Sequence, residues 1–328
     1  MKKEKYELQY GRLLEKIEKR IEKLFNNKKP ASLYEPCKYA LESGGKRLRP
    51  VLLLLSTKAA GGKFNDAYNA ALAVEIFHNF TLVHDDIMDN SPIRRGRPSL
   101  YKKFDTNTAI LAGDNLIAFA YKLLLKDCQK NTNQIIEIFT QGIIDVCEGQ
   151  SLDKEFETRR NVSLREYRNM ISKKTAALLT VCTGIGGLIA GANYEVVRIL
   201  MNYGKNLGMA FQIQDDLLDI TADEKTFGKK VGSDLIEGKK TYLFLKALEK
   251  AKGEDKKKLL RVIKNSGIES NEIESYKSIY EKYGVPEDAK KEIDKYTRSA
   301  LNGLNKLPDN EGSLMLRWLA NSLINRTK

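Results

Sequence analysis

Phe80-Thr81-Leu82-Val83-His84-Asp85-Asp86-Ile87-Met88-Asp89 decides how this chain is read, because it sets three carboxylates into apolar sequence. The pattern returns 130 positions later as Phe211-Gln212-Ile213-Gln214-Asp215-Asp216-Leu217-Leu218-Asp219. On a helix, residues i and i+4 share a face, so Asp85 with Asp89, and Asp215 with Asp219, stand one turn apart. The apolar flanks imply packed helices, where uncompensated negative charge is costly or forces protonation. A cation must offset it. Magnesium takes oxygen ligands, keeps several waters, and is usually held by one or two carboxylates plus a substrate phosphate. A diphosphate ligand is therefore expected. A solvated acidic face that repeats by chance is the competing reading, and two copies in apolar settings argue against it.

Working outward, the 328 residues contain only 7 prolines and no Pro-, Gly- or Ser-rich linker, so one domain over residues 1–328 is expected. Helical spacing is common and sustained strand alternation is absent. Tyr10, Leu13, Leu14, Ile17, Ile21, Leu24 and Phe25 form one such helical stripe, and the class is all-α. Met1 to Lys5 is charged and lacks a secretory apolar core, so a cytoplasmic protein is expected. Thr175 to Ala192 runs eighteen residues without a charge, but its three threonines and four glycines suit a packed central helix better than a stable membrane span. Cys37, Cys128, Cys147 and Cys182 show no metal-binding spacing and read as small core residues. His78 and His84 lack cysteine partners for zinc. His78, seven residues before Asp85, lies on nearly the same helical face.

The formal net charge is +13. Much of it is lysine scattered over polar helix faces such as Lys252 to Lys264, and no nucleic-acid-binding module is recognisable, so nucleic acid is not expected as a partner. The localised part is more informative. Gly44-Gly45-Lys46-Arg47-Leu48-Arg49-Pro50 joins a permissive turn to three cations, and Ser91-Pro92-Ile93-Arg94-Arg95-Gly96-Arg97-Pro98 is a bounded loop with three arginines suited to bidentate phosphate recognition. Lys173-Lys174-Thr175, Phe227-Gly228-Lys229-Lys230 and Gly238-Lys239-Lys240-Thr241 follow the same habit, attaching basic residues to the ends of apolar helices. Convergence on one polyanion explains them together.

From Gly44 through Lys240, in order and spacing, these segments resemble the trans-prenyltransferases, the polyprenyl (isoprenyl) diphosphate synthase family. The resemblance implies a homodimeric isoprenoid synthase-type bundle of long, mostly antiparallel helices around a deep central cavity, with the two aspartate motifs facing each other. It also implies that Asp85, Asp86, Asp89, Asp215 and Asp219, supported by Asp216, hold about three magnesium ions, or manganese in their place, on an allylic diphosphate. Arg94, Lys174, Lys229 and Lys239 would contact the same diphosphate. Lys46, Arg49, His78 and Arg95 resemble the isopentenyl diphosphate site, with Arg326 and Lys328 closing over it. Thr175 and Gln212 match positions near the reacting carbons, and Gln150 and Asp153 match a motif along the cavity wall. Leu243 stands where the family usually has proline, with no change of charge or ligand.

The implied reaction is chain extension: ionisation of dimethylallyl, geranyl or farnesyl diphosphate, attack by isopentenyl diphosphate, and loss of a proton. Phe80 and Thr81 occupy the family's chain-length positions, with Phe77 one turn earlier. That combination looks most like geranylgeranyl diphosphate synthases, and farnesyl diphosphate is the alternative product. A class I terpene cyclase would need neither the Gly-Gly-Lys-Arg segment nor a repeated DDxxD. A non-catalytic subunit would be expected to lose aspartates from one cluster, and both are complete.

Overall fold

The computed structural model describes residues 2–221 and 231–324, and they are overwhelmingly helical. The sequence-predicted Lys229, Arg326 and Lys328 lie outside the described residues. Two compact units form: Met1–Phe139, Val181–Leu200 and Leu307–Trp318 in the first, and Thr140–Thr180, Met201–Lys306 and Leu319–Lys328 in the second.

The first unit begins with α1 (Lys2–Lys23), whose predicted stripe buries Leu13, Ile17 and Ile21 while charged residues occupy the other face. After α2 (Ala31–Leu41), α3 (Leu48–Ala59) carries five consecutive buried aliphatics, Val51 to Leu55, as a helix enclosed on all sides must. Then α4 (Tyr68–Met88) packs along α6 (Thr106–Asp127), with the short α5 (Leu100–Lys103) preceding it. Small residues allow this: Ala70, Ala71 and Ala73 on α4 and Ala109, Ala112 and Ala120 on α6 are fully buried. Gly113 leaves room for an imidazole, because a Cβ there would lie 2.2 Å from His84 Nε2. Between α4 and α5 the three-arginine loop folds as a short hairpin, β1 (Ile93–Arg94) with β2 (Arg97–Pro98). Its turn residues Arg95 (φ 52°) and Gly96 (φ 76°) both have positive φ, as a type I′ turn demands.

The second unit is built around buried Met170, Ile213, Leu217, Leu235, Tyr242, Leu259, Tyr280 and Ile293. Helix α7 (Thr132–Thr158) is followed by α8 (Leu164–Ile171) and then by a π-helical turn at Ser172–Ala176, which leads into α9 (Ala177–Ile189). Helix α10 (Tyr194–Thr221) carries the second acidic motif. Beyond the short α11 (Ser233–Ile236) come α12 (Tyr242–Lys250), α13 (Gly253–Asn265), α14 (Ile273–Lys282) and α15 (Val285–Leu304). On α13, Leu259 and Val262 are buried while Lys256, Lys257 and Lys264 face solvent, as the sequence reading expects. Helix α16 (Glu311–Ile324) closes the described chain.

Two expectations need adjustment. The uncharged stretch from Thr175 is divided by the π-turn and leaves α9 with 13 residues, fewer than a membrane span needs. Among the described residues α6 is the helix long and apolar enough to cross a membrane. Of the four cysteines, Cys37 and Cys182 are buried core residues, whereas Cys128 is half-buried and Cys147 is exposed on α7.

Candidate active site

In the first unit, α4 delivers the first motif at its C-terminal end: Asp86 is buried, Asp85 half-buried and Asp89 exposed as the C-cap. Carboxylates at the negative end of a helix dipole raise the local demand for cations. Arg94 on the hairpin meets part of it, donating from Nε at 2.9 Å and Nη2 at 2.5 Å to Asp86 Oδ1. Burial still pushes the Asp86 carboxyl above its ordinary range, and Asp89 adds to the effect against the pull of Arg94. Arg94, expected on the diphosphate, is thus engaged with the motif itself.

The Gly-Gly-Lys-Arg segment lies against the hairpin. Gly45 has φ 129°, and a Cβ on it would come within 2.8 Å of Arg95 Nη1. That guanidinium donates to the Gly44 carbonyl and, at 3.2 Å, to Ser43 Oγ. Arg49 Nε is buried without a hydrogen-bond partner among the described residues, a donor that awaits an acceptor. Burial, with Arg49, Arg95, Arg94 and Arg47 close by, drives the His78 imidazole well below its ordinary pKa, so it is neutral at pH 7. Three of the residues expected to bind isopentenyl diphosphate, Arg49, His78 and Arg95, are therefore neighbours, and Lys46, which is close to Arg49 in sequence, is exposed. Arg47 differs from them. It is 3% exposed and adopts φ 43°, a conformation costing about 1–2 kcal/mol for a side-chain-bearing residue. Its guanidinium is consumed by Glu75 at 2.7 Å, Glu18 at 2.8 Å and the Leu41 carbonyl at 2.7 Å.

In the second unit Asp153, Lys174, Thr175, Gln212, Asp216, Asp234 and Lys239 line one cavity of about 170 Å³. The π-turn is the local device. It separates Lys173, which turns to Asp145 and Glu148, from Lys174, whose Nζ lies 2.5 Å from Asp153 Oδ2. Gly149 makes the close approach possible, since a Cβ there would sit 2.2 Å from the Lys174 nitrogen. Single π-turns within helices recur at functional sites. Next, Thr175 Oγ1 donates to Gln212 Oε1 at 2.9 Å, and Gln212 Nε2 donates to Asp216 Oδ1 at 3.0 Å. The amide of Gln150 is buried without a hydrogen-bond partner among the described residues.

Within the second motif, Asp216 is fully engaged: Tyr167 Oη donates at 2.5 Å and the Tyr242 N–H at 2.9 Å to its other oxygen. Burial nevertheless raises its pKa to about 6, against the effect of those donors. Asp219 accepts from Ser233 Oγ at 2.6 Å and the Asp234 N–H at 3.2 Å, and Asp215 is half-buried. Asp234, which the sequence reading missed, is pushed up by burial and by the carboxylates of Asp219 and Asp216. Burial opposes the charge of Lys239, yet Asp234 and Glu237 hold its ammonium above its ordinary pKa. The adjacent Lys240 also lines the cavity, and its ammonium donates to the Phe156 carbonyl at 2.6 Å, near the end of α7. Gly232 at φ 76° starts α11 and brings its own N–H to the Asp219 carbonyl. A Gly-Ser-Asp turn between two basic segments was the available signal for Asp234.

Together, a helical fold, two acidic motifs and a cavity lined by both carboxylates and lysines define a class of enzyme that acts on small anionic substrates. The profile of the polyprenyl synthetase family matches residues 30–283. The chain belongs to that family and is a prenyl diphosphate synthase. It is 44% identical to the geranylgeranyl diphosphate synthase of Sulfolobus acidocaldarius, over 90% of this chain and 91% of that one. It is 36% identical to the geranylfarnesyl diphosphate synthase of Natronomonas pharaonis, over 91% of each. The crystal structure of geranylgeranyl pyrophosphate synthetase from Pyrococcus horikoshii is 37% identical and superposes with a TM-score of 0.90, covering 98% of this chain and 99% of that one.

Proposed function

We propose that this enzyme condenses isopentenyl diphosphate with an allylic diphosphate to make geranylgeranyl diphosphate. The observation that carries the product assignment is the aromatic block below the first motif. Phe77 is fully buried, stacks on Phe80 at 6.1 Å and meets Phe139 edge-on at 5.5 Å. Such a floor limits how long an alkyl tail can grow. The relative from Sulfolobus, named for the geranylgeranyl product, favours that limit, and the one from Natronomonas favours a product one isoprene unit longer.

The donor set fits magnesium. It consists of carboxylate oxygens from Asp85, Asp86, Asp89, Asp215 and Asp219, with Asp216 in support. Among the described residues no three acidic, histidine or cysteine side chains form a cage, so an ion would need further oxygens, which a diphosphate supplies. When bound, about three magnesium ions would neutralise the leaving diphosphate. The chain's own residues do the rest. Lys174, Lys239 and Lys229 bind the allylic diphosphate, as does Arg94, which is paired with Asp86. Lys46, Arg49, His78 and Arg95 bind isopentenyl diphosphate, with Arg326 and Lys328 covering it. Preorganised cations favour heterolysis of the allylic C–O bond, in which the diphosphate leaves with the electron pair. The alkene of isopentenyl diphosphate attacks the allylic cation and forms the new C–C bond. The departing diphosphate then takes the proton that restores a double bond. Thr175 and Gln212 are held together beside the reacting carbons.

A homodimer accords with α6, where Ile110 (43% exposed), Leu111 (59%) and Leu125 (50%) stand uncovered. Asp114 in mid-helix argues against lipid as what covers them. A monomer in sedimentation at micromolar concentration would refute this. The activity is tested by incubating the protein with isopentenyl diphosphate, farnesyl diphosphate and magnesium, then separating the products. Geranylgeranyl diphosphate is expected. Farnesyl diphosphate as the end product from shorter primers, or release of a hydrocarbon, would overturn the assignment.

A further inference from the structure

The basic run Lys46-Arg47-Leu48-Arg49 does not act as three equivalent cations. Arg47 is neutralised in the interior by two carboxylates, whereas Lys46 is exposed and Arg49 keeps an unpartnered buried Nε–H. One of those carboxylates, Glu18, comes from the N-terminal helix α1. The same helix supplies Tyr10, whose phenol donates to the Lys46 carbonyl at 2.5 Å and whose ring meets Trp318 edge-on at 5.9 Å. The other carboxylate, Glu75, lies on α4 three residues before His78 and also accepts from Asn79 at 3.4 Å. Two helices thus grip the Lys46 backbone and the Arg47 side chain, next to Arg49.

We infer that Tyr10 and Glu18 of α1, with Glu75 of α4, are positioning residues for the isopentenyl diphosphate site. This rests on the proposed roles of Lys46 and Arg49. The physical reason is that Arg47, the N-cap of α3, sits in a left-handed conformation and does not cap the helix with its side chain, which is held instead by Glu18, Glu75 and the Leu41 carbonyl. Its direction is therefore set by those contacts, and Lys46 and Arg49 flank it in sequence. A preorganised pair of cations binds a polyanion without first being ordered, so loosening the grip weakens binding of that substrate alone.

The test uses Tyr10→Phe and Glu18→Gln in the full chain, with Arg49→Gln as the control, and measures KM for each substrate, kcat and Tm. Removing a single neutral hydrogen bond predicts that Tyr10→Phe raises KM for isopentenyl diphosphate about two- to tenfold. Glu18→Gln should raise it at least as much. KM for the allylic diphosphate and kcat stay within twofold in both. Unchanged KM for isopentenyl diphosphate in both variants, with Arg49→Gln raising it, would overturn the positioning role. Equal changes in both KM values, tracking a lower Tm, would also overturn it in favour of plain stabilisation. An Arg49→Gln variant with unaltered KM would instead show that the substrate assignment itself is wrong.

Discussion

The phenol of Tyr167 donates a 2.5 Å hydrogen bond to Asp216, so the middle carboxylate of the second motif is tied to α8 and also, through Gln212, to Thr175 on the π-turn. Asp216 acts as the hub of a buried polar network, in which each missing donor leaves desolvated charge exposed to no compensation. Tyr167→Phe should lower stability by about 1–3 kcal/mol, measured by denaturant unfolding. Unchanged stability would show that the bond is not formed in solution.

Gly149 separates two close backbones, and a Cβ there would meet the Lys174 nitrogen at 2.2 Å and its Cα at 2.6 Å. Neither atom belongs to a flexible side chain. Gly149→Ala should therefore displace the π-turn, destabilise the protein by about 1–3 kcal/mol and weaken binding of the allylic diphosphate. Wild-type KM and Tm together would refute the close approach.

Lys239 and Lys240 both line the cavity, but the Lys239 ammonium pairs with Asp234 and Glu237 while that of Lys240 is tied to carbonyls near the end of α7. Lys239→Gln should raise KM for the allylic diphosphate and leave Tm nearly unchanged. Lys240→Gln should do the reverse. A shared phenotype would show that the division is wrong.

Phe77→Ala or Phe80→Ala should lengthen the product by at least one isoprene unit, read by chromatography of the hydrolysed alcohols. Phe77→Ala should also destabilise by about 3–5 kcal/mol, as a fully buried phenyl does when removed. Unchanged product length in both variants would remove this aromatic block as the floor.

The cap of α8 gives a pH dependence. Glu166 accepts from the Ser163 N–H and hydroxyl, and with Arg159 these hold its carboxyl down at about 2. A depressed folded-state pKa contributes stability that is present above the ordinary value of 4.5 and is lost as pH falls toward 2. In Glu166→Gln the fall of Tm over that acid window should be shallower than in the wild type. Parallel curves would assign the acid limb to other carboxylates.

The candidate acidic and basic segments were legible because charge in apolar sequence is conspicuous and helical spacing fixes which acids share a face. The all-α class, the α1 stripe and the lysine-bearing face of α13 follow from the same periodicity. Pairings between distant segments carry no such signal. Nothing local marks Arg47 as an internal anchor, since it stands among cations that differ only in what they meet. Tyr167 and Asp234 are single residues without repeat or spacing, and the π-turn depends on Gly149, twenty-five residues earlier, rather than on its own sequence.

Turnover in Asp85→Ala and Asp215→Ala, assayed with isopentenyl diphosphate, an allylic diphosphate and magnesium and paired with circular dichroism, tests the central claim most directly. Both variants should keep their helices and lose chain extension. Full activity in either folded variant would contradict a metal-binding role for its aspartate motif.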